Sequence, residues 1–367
     1  MKQTCSFWRI AAILVIFGLS LTGCPGTSGD DDVIPSPPEV QVTAGLYQKA
    51  PPIQPGDTPI AGVTANNVDA AVTYAKANAA VDKAFTLLID DDATMSYTVI
   101  SNGRFNLYIQ GLGGMRTIRY TGPNDQYMFR LAAANSRLTL YENITLRGNS
   151  TSSLHLINIE QGTLNMNNTT KITGHTSPRS VVRVQSGLLN MAGGEISGNQ
   201  NTSTDANAVG GVTLDTSASI VMTGGSINGN TTNFVAPGTA YDIFVAHRNE
   251  PTHVGLQLSG AAEIGSLVLY TNSPSSYYYS VVQVNTGWTG RVNLFHLLGF
   301  ADTVTEAIDM WYISPPNSRK IIYGTASDIG KFTRGAFLAT GSTDRVSISS
   351  NYYIGTSGDD IGKLLKY

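Results

Sequence analysis

Four segments of the chain, 137–149, 162–175, 187–199 and 218–230, carry nearly the same pattern of residues. Their shared glycines are Gly148, Gly174, Gly198 and Gly229, so the intervals are 26, 24 and 31 residues. Repetition on that scale marks a unit that cannot bury its apolar face alone and does so by stacking on copies of itself. A solenoid is therefore expected before anything else is known. Such a fold grows along one axis, so 367 residues need not split into the separate cores that longer globular chains form.

Within each segment, Leu138, Leu164, Leu189 and Ile220 stand two residues before Leu140, Met166, Met191 and Met222. Between them lie Thr139, Asn165, Asn190 and Val221, three of them polar. This alternation is that of a strand with one buried face. A second apolar position, Leu146, Ile172, Ile196 and Ile227, precedes each shared glycine by two residues. Gly-Asn or Gly-His then suits a sharp corner, because glycine takes positive φ freely and asparagine tolerates it. Asn149, Asn199 and Asn230 are expected to stack as a hydrogen-bonded row, interrupted by His175. Further strands are predicted at 154–159, 181–184 and 212–214, which makes about three strands per coil. Coils would stack at about 4.8 Å in parallel sheets around ladders of Leu, Ile, Val and Met.

These motifs resemble the pectin-lyase-like class. More narrowly, Leu-Asn-Met-Ala-Gly-Gly-Glu-Ile-Ser-Gly-Asn at 189–199 and Ile-Val-Met-Thr-Gly-Gly-Ser-Ile-Asn-Gly-Asn at 220–230 are similar to repeats of bacterial surface lipoproteins with that fold. The resemblance implies an all-β chain, a right-handed parallel β-helix. It implies no activity, since the family contains both enzymes and adhesins and fold does not decide function.

The remainder of the chain frames this stack. Residues 1–23 read as an export signal: Lys2 and Arg9 precede an apolar run at 10–21 that is shorter than the ~20 residues of a membrane-spanning helix. The run ends in Leu21-Thr22-Gly23-Cys24, which resembles the bacterial lipoprotein box. By that resemblance Cys24 carries the lipid, and the protein sits on the cell envelope, at the outer membrane or cell surface. Cys5 leaves with the signal, so no disulfide is expected. Residues 24–60 hold seven prolines from Pro35 to Pro59 and the run Asp30-Asp31-Asp32, and are expected to form a disordered linker. A helix over 66–84, with Asn66 or Asn67 as N-cap and Val68, Ala71, Val72, Ala75, Ala79 and Val81 as its apolar stripe, would cap the open end of the solenoid. The β-helix is assigned to 61–298. Residues 299–367 read as either final coils or a separate β-rich cap.

Candidate chemistry is sparse. Glu160, Gln185 and Asp215 fall at one position of successive coils, which would separate the two acids by about 9.6 Å at ~4.8 Å per rung. That lies at the outer edge of the ~6.5–9.5 Å of an inverting glycosidase pair. The preferred reading is structural, with Gln185 sparing the acids from stacking on adjacent rungs. Asp90, Asp91 and Asp92 fit a turn better than a calcium site. The five histidines show no zinc-type spacing, and no Gly-x-Ser-x-Gly elbow or phosphate loop is present, so no catalytic residue, metal or cofactor is expected. With 13% charged residues and a net charge of −3, the chain lacks the basic stripe of a nucleic-acid binder. Binding is expected on loops that project from the coils, at 200–209, 231–241, 246–252 and 271–280. The last holds Tyr277, Tyr278 and Tyr279, flat amphipathic surfaces for a sugar or a partner protein. The sequence thus favours a lipid-anchored, non-catalytic binder of a glycan, matrix or envelope partner. A polysaccharide lyase or glycosidase of the same fold, and a structural spacer, are the alternatives.

Overall fold

The structure, a computed structural model, describes residues 41–205, 207–215, 217–234, 239–246, 254–270, 281–300, 322–339, 352–354, 356–360 and 364–366. Cys24, the aspartate run at 30–32 and the three tyrosines 277–279 lie outside the described residues.

The chain is a parallel β-solenoid. Sheet A, of ten strands, contains the first strand of each coil: Phe85–Ile89, Asn106–Gly111, Arg137–Glu142, Thr163–Met166, Leu188–Met191, Ser219–Met222, Val254–Leu258, Val281–Val284 and Ile322–Tyr323. A second stack, sheet B, runs through Ile144–Arg147, Thr170–Thr173, Glu195–Ile196 and Ser226–Ile227; a third, sheet C, runs through Ile157–Ile159, Val182–Val184, Val212–Leu214 and Ile243–Val245. Registers are continuous: Leu138, Leu164, Leu189 and Ile220 pair in one file, and so do Leu146, Ile172, Ile196 and Ile227. All eight side chains are fully buried, as are Leu140, Met166, Met191 and Met222. The predicted apolar column is thus present, built from the predicted positions.

The repeated glycines stand in one file as well. Gly174 N–H donates to Gly198 O and Gly198 N–H to Gly229 O, each at 3.2 Å. All three have left-handed φ, at +68°, +66° and +64°, where any side chain would be strained. Gly148 is offset by one residue, its N–H bonding Thr173 O at 2.9 Å.

The corner row extends further than Asn199 and Asn230. Asn199 Nδ2 donates to Asn230 Oδ1 at 2.8 Å, and Asn230 Nδ2 donates to Asp242 Oδ1 at 2.8 Å. Asp242, fully buried, also accepts Asn230 N–H at 2.8 Å and the Ser266 hydroxyl at 3.2 Å. Burial pushes its carboxyl up to about 6. At the lower end, His175 N–H donates to Asn199 Oδ1 at 3.1 Å, but His175 Nδ1 and Asn149 Oδ1 are buried without a partner. The row is therefore complete where the asparagines repeat and defective where His175 interrupts it.

Above Asp242 the coil changes. Glu263–Tyr270 is one long strand that pairs with sheet B through Ile264 and with sheet C through Leu267. The corner has gone, and Gly265 occupies its place because a Cβ there would lie 2.4 Å from Asp242 Oδ2. This explains why the repeat motif fades after Asn230 while the strands continue. They continue past 298: Val292–Phe300 pairs with Phe332–Ala339, and Ile322–Tyr323 joins sheet A. The stack thus persists to residue 339 among the described residues, and Tyr352–Ile354 with Leu364–Lys366 forms an antiparallel pair.

Two expectations for the start of the chain need correction. The cap helix spans Val68–Ala77, shorter than 66–84. Asn67 is its N-cap, accepting Ala70 N–H at 3.0 Å; Asn78 ends it by turning its own amide onto Tyr74 O at 2.9 Å. Val81 is consequently outside the helix and 62% exposed, whereas Val68, Ala71, Val72 and Ala75 are buried. The proline-rich segment is not linker throughout. Gly45–Tyr47 pairs antiparallel with Phe85–Ile89, and Leu46 and Tyr47 are buried. The outermost strand of sheet A would otherwise present a row of unpaired backbone groups, and this segment covers it. Ile60 N–H to Leu46 O at 2.7 Å and a Lys49–Asp57 ion pair at 2.7 Å hold the cover in place.

Candidate functional site

Sheet C alternates like the other sheets, so every second side chain points away from the column. Arg130, Asn158, Arg183, Thr213, Phe244 and Val268 share one such register position. The lower members are charged or polar; the upper two pack outside the solenoid with Val209, Phe234 and Tyr241 in a small apolar cluster. That cluster holds Phe234 and Tyr241 against the sheet.

Where the polar part meets residues 201–205 and 207–208 there is a cavity of about 280 Å³. Arg183 and Thr213 line it from the sheet, Tyr127 and His155 from below, and Ser203 and Asn207 from the loop. Asn201 holds the loop on the solenoid, its Nδ2 donating to Val209 O at 3.0 Å and its Oδ1 accepting Ser203 N–H at 2.9 Å. The volume falls just below the ~300–1,000 Å³ of enclosed small-molecule sites. It suits one unit of a larger ligand lying on the surface.

Two ion pairs fix charged groups on this face, and Arg179 and Asp205 also line the cavity. Arg183 Nε and Nη2 both donate to Asp215 Oδ2, at 3.0 and 2.6 Å. Two coils lower, Arg130 Nε and Nη2 donate to Glu160 Oε1 and Oε2, at 2.7 and 3.2 Å. The Gln185 amide lies between these pairs, 3.2 Å from Asn158 and 3.3 Å from the Arg183 guanidinium. Ion pairs this exposed contribute about 0–1 kcal/mol, so their effect is to hold the side chains in place more than to stabilise the fold. Because Arg183 uses only Oδ2, Asp215 Oδ1 has no partner among the described residues and is open to a ligand hydroxyl.

His155 is a wall of this cavity and not an acid–base group at neutral pH. Its Nδ1 lies 2.8 Å from Ser180 O and 3.1 Å from Ser180 Oγ, and burial pushes its pKa down to about 3. His175 is likewise lowered by burial, with Nε2 2.8 Å from Leu154 O.

Glu160, Gln185 and Asp215 do occupy one position of successive coils, each following the aligned Ile159, Val184 and Leu214. The two acids do not face one another across an open gap: Gln185 stands between them and each is engaged by its own arginine. Only Asp215 lines the cavity. Asp90, Asp91 and Asp92 form a turn: Asp91 accepts Asp92 N–H at 2.8 Å and Asp92 accepts Thr117 N–H at 2.7 Å. Among the described residues no three His, Cys, Asp or Glu side chains gather as a metal site, and no helix is long and apolar enough to cross a membrane.

The arginines of the site were not legible as site residues. A signal existed: Arg130 and Glu160 are 30 residues apart and Arg183 and Asp215 are 32, one coil plus the two-residue step that keeps a side chain on the same face. No protein-family model matches the chain, and neither a curated protein nor a solved structure is similar enough to count as a match.

Proposed function

We propose that this chain is a lipid-anchored β-helix of the bacterial cell envelope that binds a glycan, or a glycan-bearing partner, without cleaving it. The observation that carries the reading is the cavity on sheet C, where Arg183, Asp215 and Thr213 offer fixed donors and acceptors beside Tyr127. Hydroxyl-rich ligands are recognised by such rigid polar groups next to an aromatic ring. The resemblance of 189–199 and 220–230 to repeats of surface lipoproteins, and Cys24 after Leu21-Thr22-Gly23, support the placement on the envelope.

A glycan and matrix-protein array probed with the full chain and with Arg183→Ala tests the binding role. Hits lost in the variant are expected; hits that survive it move the contact elsewhere, and an array with no hits favours a spacer. The enzymatic rival rests on Glu160 and Asp215. Turnover of pectin, alginate or glycosaminoglycans that Asp215→Asn abolishes would establish it. The anchor is tested by the envelope fraction of cells expressing Cys24→Ser, in which the protein is expected to lose acyl label and leave the membrane pellet.

A further inference from the structure

We propose that Arg119 and Arg147 on the outer face of sheet B form a site for an oxyanion ester, a phosphate or a sulfate, separate from the cavity on sheet C. The two residues are direct register partners on adjacent parallel strands, so their backbones lie about 4.8 Å apart. Both side chains are exposed, and neither has a carboxylate partner among the described residues.

The arrangement contrasts with the chain's own practice. On sheet C, Arg130 and Arg183 each have a carboxylate one coil away. On sheet B, Lys171 is paired with Glu195 at 3.2 Å. Only 13% of residues are charged, yet two arginines occupy directly opposed positions, where like charges destabilise a sheet. The flanking rungs in the same file carry Thr94 and Thr173, and the file beside it carries Thr117 and Thr145. Asp92 is the nearest acid by register, and its Oδ1 is engaged by Thr117 N–H at 2.7 Å. The result is two planar, permanently charged forks bordered by hydroxyls. That donor set matches the tetrahedral oxygens of a phosphate or sulfate group, which guanidinium binds through paired N–H donors. The bound anion would also remove the repulsion between the two guanidinium groups.

The full chain, captured on a sensor surface, is exposed to polyphosphate, dextran sulfate and uncharged dextran at about 0.15 M salt, near the ionic strength where long-range attraction is screened. Binding of at least one polyanion and none of dextran is expected, weakened at least about tenfold in Arg119→Ser/Arg147→Ser. A control that removes the same charge elsewhere, Arg104→Ser/Arg291→Ser, should bind as the parent does. Preference for polyphosphate or for dextran sulfate then identifies the ester. Arg119→Lys/Arg147→Lys should recover only part of the loss, because a point charge replaces the fork. Absence of polyanion binding overturns the proposal, as does an equal loss in both Ser pairs, which would reduce the effect to net charge. Thermal unfolding of Arg119→Ser/Arg147→Ser, at an unchanged or higher midpoint than the parent, separates loss of the site from loss of the fold.

Discussion

Inside the solenoid, Leu138, Leu164, Leu189 and Ile220 follow one another with almost no change from coil to coil. Outside sheet C, one register position runs Arg130, Asn158, Arg183, Thr213, Phe244, Val268. The same backbone spacing governs both files, so geometry does not explain the difference. The inner position meets the same neighbours on every rung, and close packing admits only side chains of similar volume. The outer position meets solvent, a loop or a ligand, and each rung answers to a different one. Sameness therefore records what the stack requires, and variation shows where the stack leaves the chain free to do something else.

The contrast is tested most sharply on one strand. Leu189→Ala opens a cavity in the column and should cost about 2–5 kcal/mol; the adjacent Asn190→Ala, which removes only a surface bond to Asn165, should cost below ~1 kcal/mol. Denaturant unfolding of the two variants measures both, and equal losses would refute the division between faces.

Asn230→Ala asks whether the corner row behaves as interior. It would remove the side-chain bonds to Asn199 Nδ2, Ile196 O and Asp242 Oδ1 and leave the buried Asn199 N–H without its acceptor. Because a buried group without a partner costs about 1–3 kcal/mol, a loss of at least ~2 kcal/mol is expected in the same assay.

Asp242→Asn converts the end of the row from acid to amide, and its effect depends on pH. Asp242 is raised from 3.8 to about 6 by burial. Between those values the folded chain holds a proton that the unfolded chain has released, so the Asp242 contribution is full below pH ~4 and fades as pH rises through about 6. His155, lowered to about 3 from 6.5, contributes with the opposite slope, losing stability as pH falls below ~6.5. The informative quantity is hence variant minus parent: Asp242→Asn should gain on the parent by on the order of 1–3 kcal/mol between pH 4 and 7, read from unfolding midpoints across that range.

The smallest effect on stability is expected outside. Arg183→Ala removes an exposed ion pair and should change stability by no more than ~1 kcal/mol while abolishing the binding assigned to the cavity. A large fall in unfolding midpoint would instead make Arg183 part of the scaffold.

This division also explains what the sequence made legible. The inward positions and the file of Gly174, Gly198 and Gly229 follow from spacing alone, because each coil repeats the demand. The strand Gly45–Tyr47 was hidden: its partner Phe85–Ile89 lies about forty residues on, and its proline-rich surroundings resemble a spacer. The apolar stripe overstates the helix because Ala79 and Val81 continue it, although Asn78 ends the hydrogen bonding first. The sheet C cavity is not legible in the sequence, since Tyr127, His155, Arg183 and Thr213 come to it from separate coils, and Asn201, Ser203 and Asn207 from a connection longer than the matching one in the coil below. Asp242 lies after the last repeat, where no motif announces it.

Asp242 also gives the solenoid a direction of growth. Below it the corners at Asn199 and Asn230 present the same amide to their neighbours, so a copied coil of the 187–199 type could be spliced in between them and would find matching surfaces on both sides. Above it the corner has merged into a single strand and Gly265 leaves no room for another amide. Lengthening by duplication is open on one side of this carboxylate and closed on the other, which makes Asp242 the terminator of the repeat.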